Sequence, residues 1–265
     1  MKRIERFATE HPFAFGFVVT FVYILLLIVS ALLGALWPGA GNYAQPGGML
    51  GRLISIAILL AALSGLGWLR PAGFTSLGRP SAWLVMLAAL AYAIAASAYA
   101  FTGNFDFSLA DPGQAGLIAL FILIAAFLEE VAFRGLVMYA LVRVWGGTSR
   151  GLIMSVLASS LLFSSIHVLD FLSGRPLPNV LLQTVEAFIL GIILGTIVLL
   201  AKSIYPAVFF HAAVNFAGYL NFASKGLEDT PAAWLTLSAL LLPLALIGIY
   251  LLREVRQRSV VLNTA

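Results

Sequence analysis

Eight charge-poor apolar stretches, each near the length of about 20 residues that crosses a hydrocarbon core as a helix, dominate this chain. They run from Phe13 to Trp37, Leu53 to Leu69, Ser81 to Phe101, Gln114 to Leu141, Leu152 to Leu169, Val180 to Ala201, Ile204 to Phe222 and Ala232 to Leu252. In lipid every backbone polar group must be bonded internally, so unbroken runs of this length predict an all-α, polytopic transmembrane bundle. Composition agrees: 62% of the 265 residues are hydrophobic and only 10% are charged. That balance excludes a soluble enzyme, a disordered chain and a nucleic-acid module. The chain has no cysteine. A disulfide scaffold, a thiol nucleophile and a Cys-ligated metal are therefore excluded, and chemistry falls to oxygen and nitrogen side chains.

Two boundaries need argument. Only Lys202 and Ser203 separate the sixth and seventh stretches, and Pro206, tolerated in a first helical turn, favours a break there. The fourth stretch overruns a bilayer and is expected to bend, or to end in an interfacial segment, near Gly135. The first stretch exceeds the 7–15 residues of a secretory h-region and has no tidy small-residue cleavage site, so it reads as an uncleaved anchor.

Charge placement tests the count independently. Eight spans put both termini on one side, with Lys2, Arg3, Arg6, Arg70, Arg79, Arg143, Arg150, Lys202, Arg253, Arg256 and Arg258. The other side receives Arg52, Arg175 and Lys225, together with the acidic loop around Asp106 and Asp111. By the positive-inside rule both termini are expected in the cytoplasm. The net charge of +4 then reports topology rather than nucleic-acid binding. With no internal repeat or long linker, residues 1–265 read as one membrane domain whose motifs lie within 114–222. Trp37, Trp68 and Trp83, near span ends, read as interfacial anchors.

An ionisable side chain at bilayer depth is a functional hypothesis by default. Here these are Glu129, Glu130, Arg134, His167, Glu186 and His211, all on the fourth to seventh spans. His11 falls outside a span and reads as an exposed residue. Glu130 faces Arg134 at i, i+4 in the favourable order, which makes them an expected structural ion pair. Glu129, about 100° around the helix, is left to project into a cavity. A purely structural triad locking two helices is the competing reading. Phe163 and His167 share a face on the fifth span, as do His211 and Asn215 on the seventh, and each pair alone is weak evidence. Together, one carboxylate, two imidazoles and one carboxamide on three helices can line a single hydrated pocket. Such a set suits peptide-bond hydrolysis, with a carboxylate to take a proton from water and N–H donors for the oxyanion. Depth arithmetic complicates this: from the inner span ends Glu129 lies about 20 Å deep, His167 about 23 Å and His211 about 10 Å. Either the boundaries err by a turn or more, or the fourth and fifth helices begin beyond the bilayer surface.

Glu-Glu-x-x-x-Arg at 129–134, Phe-x-x-x-His at 163–167 and His-x-x-x-Asn at 211–215 stand in the order and helical setting of a known group. In these residues the chain resembles the CPBP family of intramembrane proteases, the type II CAAX prenyl endopeptidase and bacteriocin-processing group also called Abi. The resemblance covers about a third of the chain. It implies that Glu129 activates the water, that His167 and His211 are catalytic or metal-contacting, and that Asn215 helps to stabilise the oxyanion. It implies as partners the lipid bilayer and a membrane-associated peptide or protein, whether prenylated or not, and no nucleic acid. The expected location is a bacterial inner or plasma membrane.

A divalent metal stays open. Glu129, His167 and His211 would make a His₂Glu zinc set, but Glu129 would then not be a free base. The favoured reading is a glutamate-activated water. Phe163 and Glu186 are secondary candidates, Glu186 as support for the site or as a helix–helix hydrogen bond. Gly191 and Gly195 read as tight packing within the bundle rather than a dimer contact. The His-Glu-x-x-His, Gly-x-Gly-Asp and Gly-x-Ser-x-Gly signatures are absent, and Ala62-Leu63-Ser64-Gly65 lacks the first glycine of a membrane serine site. Two rivals from other classes remain at this stage, a proton-coupled transporter and a non-catalytic scaffold of the same fold.

Overall fold

The computed structural model describes residues 2–37, 46–101, 112–223 and 231–264; Asp106, Asp111 and Lys225 lie outside the described residues. The elements are α1 (Lys2–Glu10), α2 (Pro12–Leu36), α3 (Pro46–Gly65), a 3-10 turn (Pro80–Leu84) leading into α4 (Val85–Phe101), and α5 (Pro112–Glu130). A π-helical segment (Val131–Met138) joins α5 to α6 (Tyr139–Trp145). Then come α7 (Ser149–Ser165) with a 3-10 extension (Ile166–Ser173), α8 (Leu177–Ala201), α9 (Tyr205–Ala223) and α10 (Pro231–Thr264). No strand occurs among the described residues. Five helical runs among them are long and apolar enough to cross a membrane: Pro12–Leu36, Pro46–Gly65, Gly116–Trp145, Ser149–Ser173 and Leu177–Ala201. The chain is an all-helical, multi-pass membrane protein.

Exposure around each helix has a lipid solvent as its physical explanation. On α2 the stripe Phe15, Val19 and Tyr23 is buried at i, i+4 spacing, while Phe17, Phe21, Leu25, Ile28 and Leu32 stand exposed. A large apolar face of this kind is stable only in hydrocarbon. α8 is the opposite case. Leu190 to Val198 is buried on every side, because α7, α9 and α10 all pack on it. Small residues permit these approaches: a Cβ on Gly191 would lie 2.9 Å from Ser160 Cβ, and one on Gly51 would lie 2.6 Å from Ser30 Cα. Both members of the Gly191–Gly195 pair therefore face packing within the molecule, Gly195 against Met138 and Val156.

Several boundaries differ from the hydropathy reading. The fourth stretch does not end at Gly135. It changes to π register over Val131–Met138 and continues to Trp145. A π turn frees a carbonyl from the regular ladder, and Ser159 Oγ on α7 donates to Phe133 O at 2.8 Å. Arg52, placed in a loop by hydropathy, lies inside α3, which begins at Pro46. Trp68 is no interfacial anchor: it is 2% exposed, edge-on to Tyr139 at 5.2 Å and Phe15 at 5.9 Å.

The break at Lys202 and Ser203 is present, and it explains the depth mismatch. α8 stops at Ala201, with Lys202 at φ 53°. Segment 66–78 then folds over the start of α9: Ile204 N donates to Gly73 O at 3.1 Å, Ser203 Oγ to Ser76 O at 2.7 Å and Tyr205 Oη to Phe74 O at 2.8 Å. Ser203 and Ile204 are fully buried. α9 thus starts beneath the protein surface, while α6 and α7 extend further at that end than hydropathy indicated. His211 reaches the level of Glu129 and His167 for this reason.

Candidate active site

The last turn of α5 carries Glu129 and Glu130 side by side. α9 presents His211 to both: Nδ1 lies 2.9 Å from Glu130 Oε1 and Nε2 lies 3.4 Å from Glu129 Oε2. Arg134 Nη1 donates to Glu130 Oε1 at 3.0 Å across one helical turn, and its Nη2 donates to Gly191 O on α8 at 3.1 Å. Glu130 and Arg134 are both buried, and one imidazole and one guanidinium converge on a single carboxylate oxygen. The sequence reading had turned Glu130 away from the site. In the structure the width of an imidazole spans the 100° between the two glutamates, so Glu130 holds His211 while Glu129 faces the cavity.

Phe163 on α7 joins these groups. Its ring is perpendicular to His167 and to His211, each at 5.6 Å, and Arg134 Cζ lies 4.6 Å from its centroid on the face. Phe133, tilted at 5.3 Å from Phe163 and 5.3 Å from Tyr23, extends the aromatic contact to α2. These are the edge-to-face and cation–π arrangements favoured by ring quadrupoles. They fix the two histidines without a polar bond to their ring faces.

A cavity of about 300 Å³ opens against this group, lined among others by Glu129, Phe163, His167, Glu186, His211 and Asn215. All four residues singled out as catalytic, and both secondary ones, thus reach one hollow. Glu129 is 16% exposed, His211 is buried and Asn215 is exposed. Ile118, Phe121, Ile122, Leu190 and Val214 supply apolar wall. Within that wall, Tyr92 Oη on α4 donates to the buried Glu186 at 3.2 Å.

Three further residues escaped sequence reasoning. Tyr23 on α2 donates to Glu129 Oε1 at 3.2 Å. Gln183 on α8 places its side-chain nitrogen 3.4 Å from His167 Nδ1. Arg175 bonds the oxygen of the same amide and reaches Asp170 Oδ2 at 3.2 Å. Because Arg175 holds the amide oxygen, the amide nitrogen faces His167, so Nδ1 accepts and the ring proton sits on Nε2. This tautomer follows from the bonding pattern.

The donor set does not fit the open metal question. Zinc requires at least three ligands converging at about 2 Å. Among the described residues no group of three His, Asp or Glu is placed to hold an ion, and His167, whose Nδ1 faces the Gln183 amide, keeps its proton on Nε2.

Comparison with known proteins bears on the same helices. Residues 111–217, from the start of α5 into α9, match the family model described as type II CAAX prenyl endopeptidase Rce1-like. The match supports the CPBP/CAAX protease resemblance seen in the three motifs. No curated protein and no solved structure matches the chain.

Proposed function

We propose that this chain, whose residues 111–217 match the type II CAAX prenyl endopeptidase Rce1-like family model, is an intramembrane endopeptidase. Its substrate on this reading is a membrane-associated peptide or protein, cleaved by a glutamate-activated water. The observation that carries the reading is the convergence of Glu129, His167, His211 and Asn215 on one cavity, with Glu129 and His211 3.4 Å apart.

The chemistry follows from the atoms that face the hollow. Water between Glu129 Oε2 and the scissile carbonyl gives a proton to the carboxylate as its oxygen bonds to the carbonyl carbon. The oxyanion that forms accepts from His167 Nε2–H and from the Asn215 amide. When the C–N bond breaks, Glu129 returns the proton to the leaving amine. Glu130 takes no proton in this scheme. It holds His211 Nδ1, and His211 Nε2 in turn flanks Glu129 Oε2 at the cavity wall. The apolar wall suits an extended peptide that enters from lipid, since an unpaired backbone group there needs the site's own donors.

Topology belongs to the same proposal. α2, α3, α4, α5 with α6, α7, α8, α9 and α10 each overlap one of the eight apolar stretches. Read as eight crossings, they leave both termini on the basic, cytoplasmic side of a bacterial inner membrane. The cavity runs along α5 from Ile118 to its last turn at Glu129, beside the end of α7 and the first half of α8, towards the opposite face.

Mass spectrometry of peptides released by the purified protein and by Glu129→Gln, each with and without a chelator, tests the reading. The wild type is expected to cleave with or without chelator, and the variant is expected to lose about 10²–10⁴-fold in rate, the contribution of a positioned base. Full cleavage by the variant removes Glu129 from the mechanism. Abolition by the chelator replaces the metal-free scheme.

A further inference from the structure

We propose that a second cavity, at the opposite end of α8 from the candidate active site, binds the phosphate of an anionic phospholipid. This inference does not depend on the proteolytic reading. Lys202, the residue after α8, is sixteen positions beyond Glu186, about 24 Å along the axis. The cavity measures about 500 Å³, within the range of small-molecule sites. Its roof is the 66–78 segment, fastened to the α8–α9 junction by the three hydrogen bonds from Ser203, Ile204 and Tyr205. Gly73, at φ 90°, permits that approach, since a Cβ there would lie 2.9 Å from Ser203 Cα.

Charge decides what such a cavity takes. Arg70 and Lys202 stand exposed on its lining, Arg134 lies deeper, and no carboxylate lines it. Arg134 is paired with Glu130, whereas among the described residues neither Arg70 nor Lys202 has a carboxylate partner. Arg143, on the same end of the bundle, is occupied by Glu5 at 3.2 Å. The remaining lining includes Met138, Val142, Val198 and Leu199, an apolar surface beside two unpaired cations. A phosphodiester with an acyl chain matches both halves, and basic pockets between transmembrane helices bind such headgroups. Lys202 adds a second, independent observation. It is the one non-glycine residue with positive φ among the described residues, at 53°. Glycine is the usual occupant of that helix-ending position, so a lysine held there in a disfavoured conformation points to a task for its ammonium.

The test is native mass spectrometry of the full-length protein in detergent, titrated with phosphatidylglycerol or phosphatidylcholine. Wild type is expected to retain phosphatidylglycerol selectively. Arg70→Gln with Lys202→Gln should weaken that binding about twenty-five-fold, at about five-fold for each cation near a headgroup. A control carrying Lys2→Gln and Arg3→Gln, exposed positions on α1 with the same loss of charge, should stay within about two-fold. Equal weakening in both double variants, or equal binding of phosphatidylcholine, overturns the proposal. Complete displacement of the lipid by excess inorganic phosphate also overturns it, because the site would then be one for free phosphate. If the double variant fails to fold, Lys202→Gly supplies the reading. Glycine suits the backbone there, so thermal stability should hold while binding weakens about five-fold. Undiminished binding by Lys202→Gly counts against the site.

Discussion

The Tyr23 hydroxyl on α2 donates to Glu129 Oε1 on α5 at 3.2 Å. Tyr23 is 1% exposed and lies outside residues 111–217, so the carboxylate proposed as base is held by a helix beyond the matched segment. With Oε1 occupied, Oε2 is the oxygen left to face His211 and the cavity.

Tyr23→Phe removes that one hydroxyl and keeps the ring that packs on Phe133. A hydrogen bond to a charged group contributes about 1.5–3 kcal/mol, so kcat should fall about 10- to 100-fold. KM and the unfolding temperature in detergent should hardly move, because packing is retained and water reaches the partly exposed Glu129. Steady-state kinetics beside a thermal melt separate this from a structural role. A rise in KM with kcat unchanged would contradict it.

Glu130 and Arg134 differ from Glu129 in what their loss should do. Both are buried, and Glu130 Oε2 has no hydrogen-bond partner, so this pair already has little polar support. Arg134→Ala leaves Glu130 facing only His211 and abandons Gly191 O, at about 3–5 kcal/mol for breaking a buried pair. The expected result is a loss of monodisperse protein on size exclusion and a lowered melt. Glu129→Gln, at a partly exposed position, should leave both near wild type.

The sequence made the ionisable residues visible because a charge in lipid is costly enough to stand out against a background of leucine and alanine. Glu129, Glu130, Arg134, Glu186, His167 and His211 were legible for that reason, and the three spacings assigned most of them to helices. Tyr23 was not, since a tyrosine inside a span has the same pattern whether its hydroxyl meets lipid headgroups or a carboxylate. Gln183 and Arg175 sit near a helix start, where polar side chains are ordinary. The contact between Glu130 and His211 was missed because a helical wheel fixes directions about one axis but not the breadth of a neighbour's ring. Trp68 was misread because hydropathy cannot see that the 66–78 segment folds back into the bundle. The same fold-back concealed the depth of α9, so three helices that appeared mismatched by about a helical turn or more in fact meet.

Gln183 gives a test of the tautomer. Gln183→Leu keeps the side chain's bulk but leaves His167 Nδ1 without its donor, so the ring proton is free to sit on either nitrogen. The Nε2–H proposed for the oxyanion is then present in only part of the population. A fall in kcat of about ten-fold is expected, less than the roughly 10²–10³-fold of losing one oxyanion donor outright because part of the population keeps it, with the melt little changed. Gln183→Glu, which also cannot donate, should fail to rescue. Rescue by glutamate would show that the position acts through charge rather than through the amide N–H.

Gly191 tests whether the glycine pair on α8 serves the bundle or a dimer. A Cβ at Gly191 would meet Ser160 Cβ and Oγ at 2.9 Å and Ser160 Cα at 3.1 Å. Part of that obstacle is backbone, so α7 and α8 must separate rather than one side chain turn aside. Gly191 O also accepts from Arg134, so any separation strains the buried ion pair. Overpacking of this kind destabilises by about 1–3 kcal/mol. Gly191→Ala is therefore expected to lower the melt and to reduce activity through Arg134 and Glu130, with no change in mass by light scattering in detergent. A clean shift from dimer to monomer at unchanged thermal stability would instead assign the pair to an interface between copies.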